Sequence, residues 1–127
     1  MKISNVSDSE LEIMKIIWNL GGTAWYSQVM EALEQRQSAW QKNTVITLLA
    51  RLTEKGLLKP IKVGRRNKYI ASYSEADYQA SQTRSLLDKL YQGSAKGLVS
   101  TLIQRDILTP QDYEELREFW EEAKKKE

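Results

Sequence analysis

Between residues 11 and 18 apolar side chains return every three or four positions (Leu11, Met14, Ile17, Trp18), and the pattern stops at Gly21-Gly22. That spacing gathers side chains on one face of a helix. Ser7 and Glu10 stand three residues apart ahead of the stripe, where each side chain can take a backbone N–H of the other, so the helix is predicted to begin near Ser7. A second, short helix follows from about Trp25 to Arg36, with Val29, Met30 and Leu33 facing inward. In a third, from about Lys42 to Lys55, Val45, Leu48, Leu49 and Leu52 form one stripe and Gly56 ends it. The period then changes. Leu57 to Val63 and Lys68 to Tyr73 read as two short strands around the turn Gly64-Arg65-Arg66-Asn67. Pro60 has no N–H for a ladder, so its strand is predicted to be an edge strand or to carry a bulge.

Helical spacing resumes after Ser74. Tyr78, Leu86, Leu87, Leu90 and Tyr91 mark a helix ending near Gly93, and Leu98, Val99, Leu102 and Ile103 mark the next. Thr109-Pro110 opens a last helix, since Pro suits the first helical turn. This helix carries Tyr113, Leu116, Phe119 and Trp120. Three such helices hold too little material to close a core alone, so their stripes are expected to pack against a second copy, with Leu98, Val99, Leu102, Ile103, Tyr113, Leu116 and Trp120 as the dimerisation residues. Three helices followed by a hairpin with a basic tip is the winged helix-turn-helix plan. The expected architecture is therefore mainly α with a small β-hairpin wing: a winged helix-turn-helix domain over residues 1–73, then a three-helix dimerisation domain over residues 74–127.

Composition narrows what this arrangement can do. The 127 residues include no Cys and no His, which removes disulfides, thiolate nucleophiles, the commonest metal ligand and the commonest general base. No metal site and no cofactor are expected, and an enzyme has no catalytic constellation to stand on. No apolar run approaches the ~20 residues needed to cross a bilayer, and MKISNVSDSE forms no apolar signal segment. A cytoplasmic protein without membrane insertion is expected. The formal net charge of +2 conceals an asymmetry. Arg36 to Lys68 holds nine basic residues against the single acid Glu54, a local excess of +8 that leaves −6 for the rest of the chain. A basic run is ordinarily a solvated face, but concentration in one quarter of a near-neutral chain marks a polyanion-binding surface.

The third helix supplies the candidate chemistry. Opposite its apolar stripe lie Asn43, Thr47 and Ala50, flanked by Thr44, Ile46 and Arg51, where a solvated helix would show Glu and Lys. Bases in the major groove are read by short polar side chains, Arg and methyl contacts. Asn43 suits adenine, Arg51 guanine or a phosphate, Thr44 and Thr47 either kind of base, and Ile46 a thymine methyl. Competing readings are a helix cap for Asn43 and an ion pair with Glu54 for Arg51. Lys42, at the helix start, suits a phosphate. Arg65, Arg66 and Lys68 in the wing suit phosphates or a narrow minor groove, against the plainer reading of a solubilising hairpin tip. Trp18 and Trp40 read as packing residues.

Three segments carry a family resemblance: Ser7 to Trp18 (SDSELEIMKIIW), Trp40 to Leu58 (WQKNTVITLLARLTEKGLL) and Gly64 to Tyr69 (GRRNKY). Together they resemble the penicillinase-repressor family, the BlaI/MecI/CopY group, over essentially the whole chain. The resemblance implies a winged-helix domain, a three-helix dimerisation domain, and a homodimer bound to double-stranded DNA at an inverted-repeat operator of β-lactam resistance genes. A regulator of copper or other stress-response genes is the alternative within the group, although the cysteine cluster of the copper branch is absent here. A winged-helix protein-interaction module without DNA binding is the alternative outside it. The resemblance also implies a membrane sensor-protease system as partner. The family's cut between an Asn and a Phe falls at Thr101-Leu102 here, a departure at both residues.

Overall fold

The computed structural model describes residues 2–37 and 40–125. Its elements run α1 (Asp8–Asn19), β1 (Thr23–Trp25), α2 (Tyr26–Gln35), α3 (Lys42–Glu54), β2 (Leu58–Val63), β3 (Arg66–Ala71), α4 (Glu75–Tyr91), α5 (Ala95–Gln104) and α6 (Pro110–Lys125). The start of α1 follows from its capping box. The Ser7 hydroxyl accepts the Glu10 N–H at 3.2 Å, and Glu10 Oε1 accepts the Ser7 N–H at 2.9 Å. Ile13, Met14, Ile16 and Ile17 are fully buried, with Leu11 and Trp18 half-buried at the margins of the stripe. From α2, Val29 and Leu33 join this core while Met30 packs at its edge. Val45, Leu48, Leu49 and Leu52 of α3 complete it. Gly56, at φ +85°, reverses the chain out of α3 into β2.

The three strands form an antiparallel sheet in the order β1-β3-β2. Pro60 therefore lies on an edge strand, paired with Tyr69, as its missing donor requires. The hairpin is tighter than the sequence pattern suggests. Its turn is Gly64-Arg65 alone, and Arg66 and Asn67 belong to β3, where Arg66 pairs with Val63 and Asn67 with Lys62. Gly64 at φ +62° is the reason. A glycine at the first turn position permits a two-residue turn whose twist matches the strands, so the ladder continues to its end.

The chain forms two compact units, one ending at Thr83 and the other starting at Arg84. The first half of α4 packs with the winged-helix elements. Tyr78 and Ser81 are buried there. The Ser81 hydroxyl accepts the Ile3 N–H at 3.0 Å, and the Tyr78 hydroxyl accepts the Val6 N–H at 3.3 Å. Trp18 stacks obliquely on Tyr78 with ring centroids 5.6 Å apart, and its Nε1 donates to the Tyr73 carbonyl at 2.8 Å. In the second unit α6 starts with Pro110 in its first turn, behind Thr109 and Asp112, whose side chains take each other's backbone N–H. Neither α5 nor α6 has a buried residue.

Candidate nucleic-acid interface

Helix α3 separates its two faces cleanly. Lys42, Asn43, Thr44, Ile46, Thr47, Ala50 and Arg51 are exposed, and Val45, Leu48, Leu49 and Leu52 are buried between them. Ile46 keeps 45% of its surface in water although apolar positions lie one residue away. The N-cap is Gln41, so Asn43 stands one position inside the helix and is not its cap. Its side chain is thereby left on the outward face. The Thr47 hydroxyl donates to the Asn43 carbonyl at 2.9 Å. With its proton so engaged, Thr47 presents a lone pair and a methyl group outward, the chemistry that suits a base amino group or a thymine methyl. Arg51 lies in the last turn, about 12 Å along the axis from Asn43 at ~1.5 Å per residue. Among the described residues it makes no ion pair, with Glu54 or any other acid.

The sheet distributes the wing cations unevenly. Side chains alternate faces along a strand. On β3, Tyr69 and Ala71 pack on the core, so Arg66 and Lys68 point to the opposite face. Burial pushes the Tyr69 phenol above its ordinary value of 10.0, with the neighbouring Tyr26 adding to the shift, as a core-facing ring requires. On the outer face the Arg66 guanidinium lies 4.1 Å from the centroid of the Trp25 ring, and Lys68 Nζ lies 5.3 Å from it. Lys68 is also the direct strand partner of Trp25. Arg65 occupies the turn and is exposed. Sequence periodicity misses Trp25, since β1 is only three residues long and shows no alternation of its own. Within the basic stretch Lys55 is the cation in an ion pair among the described residues, 2.7 Å from Glu10 Oε1.

The apolar residues of the second unit lie open. Val99, Ile103, Tyr113, Leu116 and Trp120 are exposed, Trp120 by 65%, while Leu98 and Leu102 are half-buried. Leu90, Ile107 and Phe119 extend the same exposed set, and Ile107 is the member that helical spacing misses because it follows α5 in a loop. Thr101 and Leu102 sit inside α5. The Thr101 hydroxyl accepts from Tyr91 at 3.1 Å and donates to the Gly97 carbonyl at 3.2 Å.

A helical core, a third helix with one polar face laid bare, and a three-stranded sheet ending in a basic hairpin define a winged helix-turn-helix protein. Residues 6–122 match the penicillinase repressor family. The chain is 33% identical over 123 residues to the penicillinase repressor of Bacillus licheniformis, covering 97% of this chain and 94% of that protein. It is 29% identical over 116 residues to the methicillin resistance regulatory protein MecI of Staphylococcus aureus strain N315, covering 91% and 93%. Among solved structures, monomeric BlaI of Bacillus licheniformis in complex with the blaP half-operator superposes with a TM-score of 0.51 at 39% identity, over 61% of this chain and 92% of that one. The chain belongs to the penicillinase repressor family.

Proposed function

We propose that the chain is a DNA-binding transcriptional repressor that acts as a homodimer on an inverted-repeat operator. The observation that carries the reading is the outward face of α3, which exposes Asn43, Thr44, Ile46 and Thr47 within a stretch of local charge +8. In this reading α3 enters the major groove, and those four residues meet base edges. Lys42 takes a phosphate at the helix N-terminus and Arg51 a guanine or a phosphate. Arg65, Arg66 and Lys68 grip the backbone beside the groove. The exposed apolar set of α5 and α6 is covered by a second copy, which sets two α3 helices one or more duplex turns apart and makes the site palindromic. Repression follows from blocking the promoter. Kinship with a penicillinase repressor and with MecI favours β-lactam resistance genes as targets. Release by a membrane sensor-protease cutting at Thr101-Leu102 requires α5 to unwind first, because proteases act on extended chain.

The test is fluorescence anisotropy against the protein's own promoter region with excess nonspecific duplex. The expected result is specific binding to an inverted repeat whose affinity falls steeply between 50 and 200 mM salt, about 0.9 log units per log unit of salt for each phosphate neutralised. Equal affinity for repeat and competitor, or affinity indifferent to salt, would overturn the reading.

A further inference from the structure

Arg66 and Lys68 are long side chains on the outer face of the wing, flanked by Val63 and Ile61 across the ladder on one side and by Trp25 on the other. Both cations lie over the same indole ring, at 4.1 and 5.3 Å from its centroid, and neither meets an acid among the described residues. The pairing has a particular consequence. A carboxylate would hold a guanidinium in place by neutralising it, and the charge would then be lost to any polyanion. An aromatic face holds a cation through its quadrupole and leaves the charge intact. Immobilising a rotamer-rich side chain before binding also removes part of the entropic cost of association.

We infer that Trp25 is a positioning residue for DNA binding, which holds Arg66 and Lys68 in one orientation while keeping both fully charged for the phosphate backbone. This rests on the repressor reading and adds to it a residue outside α3 and the hairpin. The ring touches the cations and acts through them. Its contribution is independent of base sequence, because phosphates carry none.

Variants at Trp25 and at its two cations separate positioning from folding. In W25L the apolar bulk stays and the ring face goes; in W25F a ring face stays. Expected are a three- to tenfold weaker operator affinity for W25L, about what ordering one rotamer-rich side chain on binding costs, with affinity within about twofold of wild type for W25F. The same loss should appear on nonspecific duplex. The salt slope of W25L should match wild type, since no cation has been removed, whereas R66A should flatten it by about one. In an R66A/K68A background, adding W25L should change affinity by less than about twofold. Side-chain NMR of the free protein should show Arg66 methylene protons shifted upfield by the ring, and W25L should abolish the shift. The inference is overturned if W25L binds like wild type while wild type binds the operator, if the loss persists unchanged in the R66A/K68A background, or if the upfield shift is absent from wild type. A wild-type chain that ignores the operator altogether overturns the repressor reading itself, and the inference falls with it.

Discussion

Glu10 is the buried acid among the described residues, with only 2% of its side chain accessible. It serves two elements at once. The same Oε1 that closes the α1 capping box also receives Lys55 Nζ at the C-cap of α3. Burial alone would push its carboxyl up, but the hydrogen bonds from Lys55 and Ser7 outweigh this and hold it below the ordinary 4.5. A depressed carboxylate contributes stability that is present above the unfolded value and lost as pH falls through the folded one. Glu10→Gln is therefore expected to destabilise by roughly 1–2 kcal/mol at neutral pH, discounted because Lys55 is 35% exposed. In urea titrations the gap between wild type and variant should stay constant above about pH 5 and close as pH drops below 4.5. A gap independent of pH would show that the charge of Glu10 contributes nothing. The cap is legible in the Ser7–Glu10 spacing, whereas the ion pair joins residues 45 positions apart that only the packing of α1 on α3 brings together. Arg51, in the last turn of α3, also favours the helix dipole. Arg51→Ala is expected to relax preference at one base pair by about 1–3 kcal/mol in competition binding. A loss shared equally by all sequences would assign it to a phosphate instead.

At the scale of elements, long periodic segments are legible in the sequence and short ones are not. The stripes of α1, α3 and α6 and the Pro110 start follow from spacing and backbone chemistry, and of the edge strand or bulge that Pro60 allows, the sheet order selects the edge. β1 does not follow from spacing, because Thr-Ala-Trp is too short to show an alternating pattern and becomes a strand by pairing with β3. The wing register was equally hidden, since Arg66 and Asn67 look like turn residues until Gly64 takes the positive φ that makes a two-residue turn possible. These two facts together brought Trp25 beside Arg66. They also sort the wing residues by role. Arg65 stands free at the turn and Arg66 is braced on the sheet, and the proposed function assigns both to the DNA backbone. Replacing Arg65 and Arg66 together by Ala is expected to weaken binding to operator and nonspecific duplex by similar factors and to reduce the salt slope by about two. A selective loss on the operator would mean that the wing reads sequence.

For the whole molecule the decisive contrast is between a unit that closes its own core and a unit that does not. The first holds more than a dozen apolar side chains out of water. In the second, Phe119 and Trp120 on α6 stand 74% and 65% exposed, and large apolar groups gathered on one helix face, not scattered singly, are the mark of an interaction surface. Those residues recur with Tyr113 and Leu116 at helical spacing, so one partner surface could cover them together. A symmetric dimer would do more than shelter them. It would tether two α3 helices, so that binding the first half-site raises the effective concentration of the second. Leu116→Asp with Trp120→Asp is expected to leave the first unit folded, with its near-ultraviolet signals intact, and to yield a monomer in sedimentation equilibrium. Full-operator affinity should drop by about 10²–10⁴, while affinity for an isolated half-site changes little. If the double variant stays dimeric, the apolar set of α6 is not the seam between subunits. If it becomes monomeric yet binds the full repeat undiminished, the two half-sites are read independently and symmetry carries no affinity.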